Sequence, residues 1–131
     1  MEPITFKLNG TFKTAYCKEP GVTISISAYQ AKPSQPAIQL YTDIEPLLTA
    51  TTCLIEYEQM GVDNAPLAPN ETWIKDYSEN EGVLDELIRH GVVERVLGAD
   101  CQAPSGFVIF PRVKLAGKAL ELWEQAHAKA N

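Results

Sequence analysis

Few side chains in this sequence can do chemistry near neutral pH, and their spacing limits what they can do. There are two histidines, His90 and His127, and three cysteines, Cys17, Cys53 and Cys101. An imidazole titrates near neutrality unaided, whereas a thiol becomes a nucleophile only where its pKa is lowered. The cysteines are odd in number and widely separated, with no CxxC and no Cys/His cluster, so no zinc or dithiol framework is expected. Nothing beside Asp100-Cys101 would activate that thiol. His90 falls in a helix's last turn, where a cation complements the dipole, and that structural role suffices for it. The sequence has no Gly-rich phosphate loop after a strand, no Gly-x-Ser-x-Gly and no His-Glu-x-x-His. The chain therefore reads as a non-enzyme without cofactor-binding or metal-ligating residues.

Charge narrows the partners. Lys plus Arg total 11 against 17 Asp plus Glu, a net charge of −6, and no basic block occurs. Nucleic-acid affinity rests largely on Lys and Arg neutralising phosphates, so this balance argues against it. Arg112, Lys114 and Lys118 form a short basic cluster, and with Arg89 they are the candidate nucleic-acid contacts. The 45% apolar and 21% charged fractions are those of an ordinary globular chain, and 131 residues suit one domain, 1–131. No apolar run reaches the roughly 18 residues of a membrane span. Met1-Glu2-Pro3-Ile4-Thr5 lacks a basic leader region. A cytoplasmic protein with free thiols is expected.

The elements that would position these residues read as α+β. Residues 1–41 form a β-meander. Asn9-Gly10 is a hairpin signal between Ile4–Leu8 and Thr11–Tyr16, which puts Ile4, Phe6 and Leu8 on one face and Phe12 and Tyr16 on the other. After the turn Glu19-Pro20-Gly21, Val22, Ile24, Ile26 and Ala28 alternate with polar residues as a third strand. Residues 31–37, with Pro33 and Pro36, form a connector, and Ile38 to Tyr41 is either a short strand or a lead-in. Thr42 and Glu45 have capping-box spacing for a central helix over 44–60. That helix stops at Gly61 and buries Ile44, Leu47, Leu48, Thr51, Leu54 and Ile55, with Glu58 extending the same face. The β-branched pair Thr51-Thr52 leaves 51–57 open between helix and strand. Asn70 would cap a short helix through Trp73 and Tyr77, and Ser78 with Glu81 a second one ending at Gly91. Strands over 92–96 and 107–113, with a loop at 98–106 between them, precede a C-terminal helix from Leu115.

Leu84-x-x-Leu87-Ile88-x-x-Gly91-Val92-Val93, a variable loop, Phe107-Val108-Ile109 and Leu115 opening a helix resemble the C-terminal half of winged-helix domains. The resemblance implies a recognition helix that ends in Gly and enters a two-stranded wing, and DNA binding as the function. Ala116 stands where that family has a Ser or Thr cap, and Ala119 where it usually has Gly. A helical projection turns Glu79, Gly82, Glu86, Arg89 and His90 outward, with Asp85 alongside. Each good bidentate base contact is worth roughly 1–3 kcal/mol. Like-charge juxtaposition at an interface costs about several kcal/mol, so three carboxylates outweigh Arg89. The 98–106 loop has no Lys or Arg. A use other than DNA binding is expected.

The last helix suggests which use. Leu115, Ala119, Leu122 and Ala126 make one stripe, and Ala116, Leu120 and Trp123 a second. Together they exceed the roughly 100° that packing within a domain requires, and Trp is a favoured interface anchor. In dimeric winged-helix proteins, the resemblance implies, this helix is the seam. The leading expectation is a non-catalytic protein–protein interaction module, homodimeric through Leu115, Ala119, Leu122, Trp123 and Ala126. The alternatives are a DNA-binding regulator using Arg89, Arg112, Lys114 and Lys118, and a small-molecule binder with a pocket between the meander and the 44–60 helix.

Overall fold

Alternating Ile and Ser in Thr23-Ile24-Ser25-Ile26-Ser27-Ala28 sends every second side chain inward, and this segment is an inner strand of the first sheet. The computed structural model describes residues 2–54, 67–97, 101–102 and 109–130. Its strands are β1 (Ile4–Lys7), β2 (Thr11–Lys13), β3 (Lys18–Pro20), β4 (Thr23–Ala28), β5 (Pro36–Tyr41) and β6 (Pro46–Thr49), then β7 (Thr51–Thr52) and β8 (Glu71–Ile74). Helix α1 (Val83–Arg89) follows, then β9 (Val93–Arg95), β10 (Cys101–Gln102), β11 (Ile109–Phe110), β12 (Arg112–Leu115) and helix α2 (Gly117–Ala130). The strands form two four-stranded sheets, β1-β4-β5-β6 and β7-β8-β12-β9, and two small ribbons, β2-β3 and β10-β11. Every ladder is antiparallel, so the fold is α+β as expected.

The N-terminal region is one long hairpin with a bend in it. Asn9-Gly10 marks the bend and not the tip: β1 pairs with β4 (Phe6↔Ile24) and β2 with β3 (Phe12↔Glu19). At the bend, Leu8 N donates to Val22 O and Gly21 N to Gly10 O, with both glycines at positive φ. The tip lies at Thr14–Cys17, where the Thr14 hydroxyl accepts the N–H groups of Tyr16 and Cys17. The bend brings Phe12 into the same core as Leu8, correcting the expected split of faces, and leaves Tyr16 exposed.

The central helix expected over 44–60 is absent among the described residues. Thr42 Oγ1 accepts the N–H groups of Ile44 and Glu45, and Thr42 N donates to Glu45 O. The side-chain-to-backbone bonds read as a helix cap instead close the β5–β6 hairpin, because Thr can satisfy either geometry. Leu40 faces Leu48 across it, and Ile44, expected in the core, lies at the tip 94% exposed. The chain then crosses between sheets at Ala50, whose N–H donates to Ile38 O and whose carbonyl accepts from Lys75 N. Glu58, Gly61 and most of the 98–106 loop lie outside the described residues.

The helix expected after Asn70 is strand β8. Trp73 opposes Arg112 across the β8–β12 ladder, and Asn70 itself sits at φ +72°. Helix α1 starts at Val83 and not at Ser78, which begins a 3₁₀ turn. Its cap is the Asp76 carboxylate, which accepts the N–H groups of Gly82 and Leu84. Its end is as expected: Gly91 takes φ +72°, and Val92 N donates to Leu87 O to close a Schellman turn.

One core unites these pieces. It holds Ile24, Ile26, Ile38 and Leu40 of the first sheet, Ile74 and Val113 of the second, Val83, Leu84 and Leu87 of α1, and Ala119 and Trp123 of α2. A smaller cluster of Leu54, Leu67, Trp73 and Phe110 includes Trp73, whose neighbour Ile74 belongs to the main core on the sheet's other face. From α1 to α2 the described residues hold four strands, β9 to β12, where two were expected, over 92–96 and 107–113. The β9–β12 pair is not a separate wing, however, since β12 is bonded to β8 along its other side.

A candidate anion-binding cleft

The expected contact residues separate into three groups. Leu115, Ala119 and Trp123, offered as a dimer seam, are buried in the chain's own core, while Leu122 and Ala126 are half-buried. Trp123 Nε1 donates to Asn70 Oδ1 at 2.7 Å, and His127 packs on its indole with Nδ1 donating to the Trp123 carbonyl. Trp123 packs in the main core of the domain.

The four candidate DNA contacts also divide. Arg112 is buried on Glu71, with Nη2 2.9 Å from Oε1, and its guanidinium lies over the Trp73 ring. Lys114 is exposed and pairs loosely with Glu94 across the β12–β9 ladder. Arg89 and Lys118 line one cleft, whose wall also includes Lys7 of β1, which the sequence did not single out.

The cleft, about 360 Å³ and open to solvent, is also lined by Phe6, Leu8, Asn9 and His90, and the Lys7 ammonium lies toward Asp43 at 3.7 Å. Strand β1 supplies Lys7 and Phe6, the end of α1 supplies Arg89 and His90, and the first turn of α2 supplies Lys118. Lys118 Nζ sits 5.7 Å from the Phe6 ring centroid, a cation–π contact. His90 stacks on Phe12 with ring centroids 5.8 Å apart, and its Nε2 lies 3.0 Å from Arg89 Nη2. The α1 and α2 ends are held close because Gly117 packs on the Gly91 carbonyl and Ala116 N donates to Val92 O.

Glu86 sets the electrostatics beneath the cleft. Expected on the outer face of the helix, it is 8% exposed. Arg89 Nε donates to its Oε2 at 2.6 Å and Nη2 to its Oε1 at 2.8 Å, while Lys13 N donates to Oε1 at 2.7 Å. The Arg89 hydrogen bonds, aided by the Lys13 N–H and nearby positive charge and opposed by burial, hold its carboxyl down at about 2. The same Arg89 Nη2 donates to the Thr11 carbonyl, fastening α1 to β2. The acidic ridge expected over 79–90 is therefore broken: Glu79 lies in the preceding 3₁₀ turn, Glu86 is neutralised, and Asp85 remains exposed on α1.

The remaining polar groups of the interior are structural. Gln35 Nε2 donates to Thr52 O and Thr72 Oγ1, and the Tyr29 and Thr51 hydroxyls are 2.8 Å apart. Burial pushes the Tyr29 phenol above its ordinary pKa. Among the described residues no group of three or more His, Cys, Asp or Glu could hold a metal ion, and no helix is long and apolar enough to cross a membrane.

Comparison with protein-family models, curated proteins and solved structures finds no match to this chain.

Proposed function

We propose that this is a non-catalytic binding module of the cytoplasm that works by protein–protein contact, seating an acidic group of its partner in the cleft between β1, α1 and α2. The observation that carries this reading is a concave site walled by Arg89 and Lys118, from two separate helices, on a chain whose net charge is −6. In a negative protein such a spot draws an anionic group to itself while the rest of the surface repels it. A nucleic-acid backbone needs a track of cations, and Arg112 and Lys114 lie elsewhere. Homodimerisation is a separate expectation, tested by sedimentation at two protein concentrations.

Titration of the protein with an acidic peptide, followed by amide chemical shifts, tests the proposal. Shifts should concentrate at Phe6–Asn9, Arg89–Gly91 and Gly117–Ala119 and disappear in the Lys118→Glu variant. Shifts scattered over the surface, or unchanged in that variant, would overturn it.

A further inference from the structure

We infer that Asn9 is a site of self-modification. Its side-chain amide is lost through a cyclic imide formed with the Gly10 backbone nitrogen, which leaves aspartate or isoaspartate in its place. Only Asn9 and Gly10 are needed for this chemistry, so it stands apart from the reading of the cleft.

Three asparagines lie among the described residues, Asn9, Asn70 and Asn80, and the fold treats them differently. Ring closure needs a side-chain amide free to turn and a following N–H that no carbonyl holds. Asn70 has neither: its Oδ1 accepts from Trp123 Nε1, and the next amide, Glu71 N, donates to Ala68 O. Asn80 has neither as well, being buried with its Nδ2 on Thr49 O, while Glu81 N donates to Ser78 O. Asn9 meets both conditions. It is exposed, and among the described residues neither its side chain nor the Gly10 N–H makes a hydrogen bond.

The residue that follows Asn9 also obstructs the reaction least. Gly10 has no Cβ to crowd the attacking nitrogen, and no atom lies within 4 Å of where a Cβ would stand. The bend fixes the chain to either side, through Leu8 N on Val22 O and Gly21 N on Gly10 O, yet leaves the two reacting groups untied. Attack within one dipeptide is intramolecular and gains from proximity over any encounter in solution. Base removes the Gly10 amide proton and the nitrogen attacks Asn9 Cγ. The N–Cγ bond forms, the Cγ–Nδ2 bond breaks, and ammonia leaves with a proton taken from water. Water then opens the imide at Cγ, giving aspartate, or at the Asn9 backbone carbonyl, giving isoaspartate with its main chain running through Cγ. Water is the sole co-reactant.

Either product carries a carboxylate that is ionised near neutral pH. Asn9 lines the cleft that Arg89 and Lys118 also line, so modification adds a negative charge to the wall that receives an acidic group. This link to the cleft, unlike the modification itself, rests on the proposed function.

Incubation of the full chain in mildly alkaline buffer, followed by peptide mapping, tests the inference, with a synthetic peptide of residues 6–13 as the clock. When the peptide is mostly converted, much of Asn9 in the protein should be aspartate or isoaspartate, with Asn70 and Asn80 intact. Asn9→Gln should stay unmodified, because its longer side chain disfavours the ring. Asn9 still intact at that time would overturn the inference, and so would conversion of Asn70 or Asn80 at the same rate. Modified protein separated by anion exchange should bind an acidic peptide more weakly than fresh protein. Equal binding would overturn the link to the cleft. Fresh protein that binds no acidic peptide would overturn the cleft reading and leave the modification standing.

Discussion

Glu86 shows how one side chain can connect stability to the site. Its carboxylate is held by Arg89 and by the Lys13 amide, so its pKa in the folded chain, about 2, lies below the ordinary value of 4.5. A depressed carboxylate stabilises the fold fully above its unfolded pKa, and that contribution is lost as pH falls toward the folded one. The window is therefore from about 4.5 down to about 2. The contribution is on the order of 2 kcal/mol, discounted because Arg89 itself is exposed. Denaturant midpoints measured across that window should fall more steeply for the natural chain than for Glu86→Gln, and parallel curves would show that Glu86 is not so held. Arg112 is the harsher case. Its pair with Glu71 is buried, so Arg112→Ala leaves a carboxylate uncompensated and should cost about 3–5 kcal/mol in urea unfolding, well above the cost of an exposed pair such as Lys114–Glu94.

Helix α1 has seven residues, too few to form without help from its ends and its packing. The Asp76 cap and the Gly91 turn supply the ends. Asp76→Ala should lower stability by about 1–2 kcal/mol, read as a shift in denaturant midpoint, with the loss confined to the α1 region in hydrogen exchange. Of these elements, some were legible in the sequence. The Ile/Ser alternation of β4 and the glycine after α1 each have one physical reading, and both are found. Thr42-x-x-Glu45 has two, since the same hydroxyl-to-amide bonds close a helix start or a hairpin, and only the β5 ladder decides between them. Asp76 was missed because a capping box at Ser78 looked sufficient; Glu86, projected outward, is instead buried against Arg89 and the Lys13 amide. The cleft was not legible at all beyond Arg89 and Lys118 taken singly. Their opposite wall, Phe6 to Asn9, comes to them through tertiary packing, which no local signal announces.

At the scale of the whole molecule, the main core draws on both large sheets and both helices. The halves 1–41 and 42–131 therefore share their buried surface and should not unfold separately. Thermal unfolding should be a single transition whose calorimetric and van't Hoff enthalpies agree, and two resolved transitions would contradict the shared core.

The contact of Gly117 with the Gly91 carbonyl has a mechanical meaning. A Cβ at position 117 would lie 3.0 Å from that oxygen, on a backbone at φ +51° that side chains seldom adopt. Arg89 and His90 hang from one side of this joint and Lys118 from the other. A methyl group inserted there would act as a shim, prising one jaw of the grip from its opposite while leaving every gripping residue in place.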